Sequence, residues 1–275
     1  MQPSADEQLN EALGVVPLLV SASREAYGIF HDARAKLATA VLGEHQCKLI
    51  ALGIHADRTS QAIEKLRSEG FWLQALALLR VRLEETIVCS YLIHQNSDEL
   101  YNRYFEFGPI ADYRSAKAVM AQPALAPHVT GRLDLDALAA EAADIERAFN
   151  PGFDITKGKF KAKWTELDLH SMATKRDQLA DAESLTPSAV PLAPLYVGMY
   201  RTASAVIHGD ASVISSPFTG AMVGADGIPR EARLFWEMSI PAYLSACDIV
   251  QAYEIVAACG LDCEGQFLGI IAKLT

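Results

Sequence analysis

The stretch Leu76-Ala77-Leu78-Leu79-Arg80-Val81-Arg82-Leu83-Glu84-Glu85-Thr86-Ile87-Val88 decides the fold. It is apolar on nearly every side at helical spacing, with no period-two alternation, so it reads as a helix surrounded by other helices. Charges inside such a helix need partners. Arg80 and Glu84 stand one turn apart and can pair with each other or across to a neighbouring helix.

The rest of the 275-residue chain follows the same pattern. Alanine and leucine dominate and β-branched runs are short. The spacing predicts helices over about 6–42 (bent near Gly14 and Pro17), 44–69, 71–95, 97–121, from Asp134 on, 164–179, 195–208 and 230–259. Gly70 marks a stop, Asn150-Pro151-Gly152 a turn, and Pro187, Pro191 and Pro194 a rigid connector. From 209 to 229 the chain is rich in Gly, Ser and Pro, and reads as a binding loop or as a surface excursion with a short hairpin. The expectation is an all-α protein, a single multi-helix bundle of about seven to eight helices with one long irregular loop near 209–229. It is one domain over 1–275: an N-terminal arm 1–42, a core bundle 43–208, the loop 209–229 and a C-terminal helix 230–275. No internal repeat and no shift in composition divides it.

Half the residues are apolar (51%), enough for a sizeable core. The net charge of −10 argues against a general nucleic-acid or anionic-membrane binder, though not against a local basic groove. Cys47, Cys89, Cys247, Cys259 and Cys263 are too scattered for a disulfide framework and read as reduced, packed thiols. The first ten residues carry two acids and no basic region, unlike a signal peptide. No run is read as long enough to span a bilayer; the best, 240–259, carries Asp248, Gln251 and Glu254. A cytoplasmic protein without a membrane partner is expected.

The candidate site lies at the end of another mostly apolar helix, in Tyr200-Arg201-Thr202-Ala203-Ser204-Ala205-Val206-Ile207-His208-Gly209. Separations of three, four and seven residues place Arg201, Ser204 and His208 on one helix face. An arginine neutralises phosphate with a planar fork, and a histidine moves protons near neutral pH. Arg24 and His31 repeat the same spacing by chance. Arg80 and Glu84 are the natural partners of this face, which predicts that the two helices meet. Both sets also suit a structural polar cluster. Lys157, Lys159, Lys161 and Lys163, interleaved with Phe160 and Trp164, are the one strongly basic stretch. They suit phosphate contact and base stacking, or a solvated loop that two aromatics pin to the core. No cofactor and no metal is expected. There is no glycine-rich phosphate loop, Glu166 and His170 stand alone, and Cys247, Cys259 and Cys263 lack a fourth ligand.

Leu79-Arg80, Glu84, Tyr91-Leu92, Tyr101, Arg103-Tyr104 and the later Tyr200, Ser204, His208-Gly209 resemble, in order, a bacterial all-helical family, the domain of unknown function 5677. The chain is also distantly similar to the HEPN superfamily of helical, often dimeric proteins, many of them metal-independent ribonucleases of toxin or phage-defence systems. That resemblance implies a homodimer, RNA as partner, Arg201 on the phosphate and His208 as acid or base, with Ser204, Glu84 and Arg80 in support. Thr202 departs from the polar Asn, Asp or His usual after the HEPN arginine. The alternative is a non-enzymatic helical binding or regulatory module whose Arg, Glu, Ser and His network is structural.

Overall fold

The computed structural model describes residues 13–124, 126–129, 134–154, 160, 163–180, 186–200, 203–204 and 230–274, with 128, 129 and 230–234 as backbone only. It is all-α; among the described residues there is no strand. They gather into two compact units, 95–168 and the remainder of the chain on either side of it.

The larger unit holds α1 (Val16–Leu37), α2 (Glu44–Ser68), α3 (Trp72–Gln95), α7 (Leu169–Ala180), α8 (Arg230–Ala258) and α9 (Glu264–Ile271). Helix α1 starts at Val16, with Pro17 in the first turn where its missing N–H costs nothing. It stops at Leu37 rather than near 42, because residues 38–41 are exposed and have no face to bury. By length and composition Leu13–Leu37 suffices to cross a membrane (mean hydropathy 1.2), which corrects the reading that no run is long enough. Ala26, Phe30 and Ala33 on it are nevertheless buried. Asn96, at φ +44, ends α3, and Gly260, at φ +80, separates α8 from α9. The separate helix after that break, α9, was not foreseen. Glycine takes the left-handed region freely, and there the Leu261 N–H reaches back to the Val256 carbonyl (3.3 Å).

One apolar core joins Ile63 of α2, Trp72, Leu76 and Leu79 of α3, Met199, and Trp236, Ile240 and Leu244 of α8. Elsewhere side chains of α1 and α8 crowd the backbone of α2 at Gly53. A Cβ there would lie 2.6 and 2.8 Å from ring carbons of Phe30 and 3.1 Å from Ile255 Cδ1. Phe30 and Ile255 are buried and cannot give way. Gly53→Ala is therefore expected to cost about 1–3 kcal/mol, the usual range for overpacking. Urea unfolding checks this, and an unchanged midpoint would refute it.

The smaller unit holds α4 (Asp98–Glu106), α5 (Gly108–Met120), a turn at Ala126–Val129 and α6 (Leu135–Phe149). One helix was expected over 97–121. The chain breaks at Phe107 because Pro109 has no N–H for a continuing ladder and fits only a first turn. Ser97 and Asp134 cap α4 and α6 by accepting the Leu100 and Ala137 N–H groups. Ile110 and Ala142 are fully buried, packed round by Phe107, Tyr113, Ile145, Phe149 and Phe160. The turn at 150–152 forms, with the Phe153 N–H on the Asn150 carbonyl at 2.9 Å.

Candidate functional site

The segment that carries the motif begins earlier than the sequence suggested. It forms a helical turn at Leu192–Leu195 and winds as a π-helix over Tyr196–Tyr200. Its start is held by α7. Asp177 accepts from the Leu192 and Ala193 N–H groups (2.9 and 2.8 Å), capping a turn whose own cap position is Pro191. Its end is held by α3. Arg80 donates from Nε to Glu84 (2.9 Å) and from Nη2 to the Tyr200 hydroxyl (2.9 Å), with its guanidinium 4.7 Å from the Tyr200 ring centre. Tyr200 stacks on Tyr196 (4.4 Å between centres), and His170 packs on Tyr196. Gly198 completes the seat: a Cβ there would collide with the Tyr243 hydroxyl of α8. The Arg80 and Glu84 turn thus meets the motif segment at the residue before Arg201.

Arg201 and His208 lie outside the described residues, as do Lys157, Lys159 and Lys161 and the loop 209–229. Ser204 is half-buried, next to a fully buried Ala203. Lys163 is exposed, 3.8 Å from Glu166. The aromatics of the lysine stretch pack within the smaller unit: Phe160 against Tyr113 and Phe153, Trp164 edge-on to Tyr104. Arg114 also donates to the Phe160 carbonyl (2.8 Å). These contacts hold Phe160 and Trp164 themselves. Among the described residues, no three His, Cys, Asp or Glu side chains gather as a metal-ligand set.

Two polar networks that the sequence reading passed over run through the larger unit. Arg82, two residues from Arg80, is fully buried. It meets Asp248 of α8 (3.0 Å) and donates to the Ser60 hydroxyl (3.0 Å), to the Tyr27 hydroxyl (2.9 Å) and to Gln251. Asp248 also accepts from Ser60 (2.7 Å) and Ser23. About two turns further along α3 and α8, Arg176 of α7, also fully buried, meets Glu254, which accepts from Ser90 and from His94 (2.9 Å). Arg176 donates as well to Ser90 (2.7 Å) and to the Val190 carbonyl (2.9 Å). The signal was in the spacing. Arg82, Thr86, Ser90 and His94 recur every four residues on α3, opposite Asp248, Gln251 and Glu254 every three on α8.

The two carboxylates respond differently to their surroundings. Burial pushes the Asp248 carboxyl above its usual range, more than Arg82 and the serine hydroxyls pull it down. Burial also works on Glu254, but the His94 hydrogen bond and the charges of Arg176 and His94, with Ser90, bring it below the ordinary value. Burial raises the Cys247 thiol to about 11 and Cys89 higher still, so neither is a thiolate near neutral pH. All five cysteines are free thiols, and only Cys47 is exposed.

The fold and these contacts define an all-helical protein whose long helices are tied by buried arginine–carboxylate clusters. The family model described as "Family of unknown function (DUF5677)" matches residues 49–221, and the chain belongs to that family. The matched span includes Arg80, Glu84, Arg201, Ser204 and His208. No curated protein and no solved structure matches the chain.

Proposed function

We propose that the protein is a HEPN-like, metal-independent RNA-cleaving protein of the toxin or phage-defence type, acting as a homodimer in the bacterial cytoplasm. One observation carries the reading: Tyr200, which precedes Arg201, is seated on Arg80 beside Glu84. Fixing the backbone at that point is what positioning a phosphate-binding arginine requires. Arg201 neutralises the scissile phosphate. His208 takes the proton of the adjacent ribose 2′-hydroxyl, whose oxygen attacks phosphorus. The bond to the 5′-oxygen breaks and that oxygen takes a proton from water, leaving a 2′,3′-cyclic phosphate and a 5′-hydroxyl end. Lys157, Lys159, Lys161 and Lys163 contribute backbone phosphate contacts.

The test is cleavage of labelled single-stranded and structured RNA by purified protein with excess chelator. His208→Ala is expected to lower the rate at least about 100-fold, the lower end of a proton-transfer contribution, with an unchanged melting temperature. No cleavage of RNA, in vitro or from the native host, overturns the reading.

A second reading is a non-enzymatic helical module whose polar cluster holds helices in register. It is favoured by the closure of the Arg80 contacts on Glu84 and Tyr200. It expects His208→Ala to lower the melting temperature while nothing is cleaved by either form.

A further inference from the structure

The flat side chains beside the motif segment form a pile that extends beyond the residues the proposed reaction uses. The Arg80 guanidinium lies 4.7 Å from the centre of the Tyr200 ring. Tyr200 stacks on Tyr196 at 4.4 Å with 21° between planes, and His170 packs on Tyr196 at 5.5 Å and 36°. These groups come from α3, the π-turn and α7, so the scaffold rather than a local repeat brings them together. π-Turns are rare and concentrate at functional sites. This one is held at both ends, by Asp177 on the Leu192 and Ala193 N–H groups and by Arg80 on the Tyr200 hydroxyl. A ligand there meets rings already in place rather than having to order them.

The two ends of the pile differ. At the inner end Arg80 is committed to Glu84 and to the Tyr200 hydroxyl (2.9 Å each), with 19% of its side chain exposed. At the outer end His170 is exposed. Its imidazole makes no hydrogen bond or ion pair among the described residues: the ring packs on Tyr196, and the backbone carbonyl accepts from Thr174 (2.9 Å). The one cation of the pile already faces Glu84, so the pile offers faces rather than charge. Faces of this kind take nucleobases, because every base has a π-face and stacking it on a protein ring tolerates any sequence. Stacking needs no particular protonation state of the imidazole.

We propose that His170, backed by Tyr196 and Tyr200, stacks an unpaired base of the RNA strand whose phosphate Arg201 binds. The subsite rests on the RNA reading for the class of its ligand, and His170 has no part in that reading otherwise. Tyr200 joins the two: it belongs to the pile and is the residue before Arg201. A base held on His170 fixes the strand beside the scissile phosphate, which restricts the geometries from which the 2′-hydroxyl approaches phosphorus. His170 is a binding residue and moves no proton.

The experiment is fluorescence titration of the full chain with a labelled oligomer of 2′-O-methyl adenosine about eight nucleotides long, within the range of single-strand sites. The oligomer lacks the attacking hydroxyl, so binding is read without cleavage. His170→Ala should weaken binding at least about fivefold, the low end for one base–aromatic stack. Its melting temperature should move by less than about 2 °C, since the side chain is exposed. His170→Phe keeps a stacking face and should bind within about twofold of wild type. Among oligomers lacking one base each, one should cost the wild type as much as His170→Ala does, and cost His170→Ala nothing further. The proposal is overturned if the oligomer does not bind, if His170→Ala binds as wild type does, if His170→Phe is as weak as His170→Ala, or if no single base is coupled to His170. The expected pattern in a protein that cleaves no RNA would remove the earlier reading and leave the base subsite standing. RNA cleavage with the same KM in wild type and His170→Ala would do the reverse.

Discussion

Arg82→Met is expected to destabilise the protein by about 3–5 kcal/mol, the cost of leaving one partner of a buried ion pair uncompensated. The methionine fills similar volume, so the loss is electrostatic rather than a cavity. Without the guanidinium, Asp248 keeps the Ser23 and Ser60 hydroxyls among the described residues, and the Tyr27 hydroxyl and Gln251 each lose a donor. The pair, not the charge, is what the fold requires. Arg82→Met combined with Asp248→Leu is expected to recover most of the loss, since buried pairs exchange for apolar groups at little cost. Urea unfolding of the wild type, both single variants and the double variant checks this. The single variant should also be relatively more stable in acid. The Asp248 carboxyl is already raised by burial with Arg82 present, and losing Arg82 raises it further. A raised carboxyl contributes stability that is full below its unfolded value and lost as pH rises through the folded one. A single variant within 1 kcal/mol of wild type would show that water, not Arg82, supports Asp248.

Much of the fold follows from patterns visible in the chain. Gly70, Asn96, Ser97 and Asp134 punctuate the helices where their backbone preferences require. Pro109 has an equally local effect, but a proline at a first helical turn and a proline breaking a helix look alike until the preceding turn is seen to bend. The site was harder to read because α3 is apolar all round. Arg80 and Arg82 point to different sides of one helix, and composition alone does not say which side is inside. The i, i+4 pairing drew the eye to Arg80 and Glu84, which are only partly buried (19% and 34% of each side chain exposed). The fully buried arginine is Arg82, whose acidic partner is 166 residues away. The carboxylates of α8 were noticed only as a cost against a membrane, although the same cost argument predicts buried partners for them.

The second large effect concerns acid. Wild-type protein is expected to lose stability as pH falls through the Glu254 carboxyl, and Glu254→Gln is expected to remove much of that dependence while costing about 3 kcal/mol near neutral pH. The sign follows from the direction of the shift. Glu254 lies below its ordinary value in the fold, so its contribution is present above the unfolded value of roughly 4.3 and is lost as pH drops through the folded one. The glutamine keeps one acceptor oxygen but turns the other position into a donor. Glu254 uses one oxygen for Arg176 and His94 and the other for Ser90, so with the amide nitrogen in the second position the Ser90 hydroxyl must turn from donor to acceptor and its proton loses its carboxylate. Arg176 then keeps Asp177 (3.1 Å) and the Val190 carbonyl, and loses its buried counter-charge. Asp177 also caps the segment that leads to Arg201, so the effect should reach that turn. Urea midpoints of the two proteins between about pH 3 and 7 provide the measurement, the window following from carboxylate values. Curves that stay parallel would mean that Glu254 does not set the acid limit. Asp248 cannot imitate the effect: its shift is upward, so its contribution grows on acidification and opposes the loss that Glu254 brings.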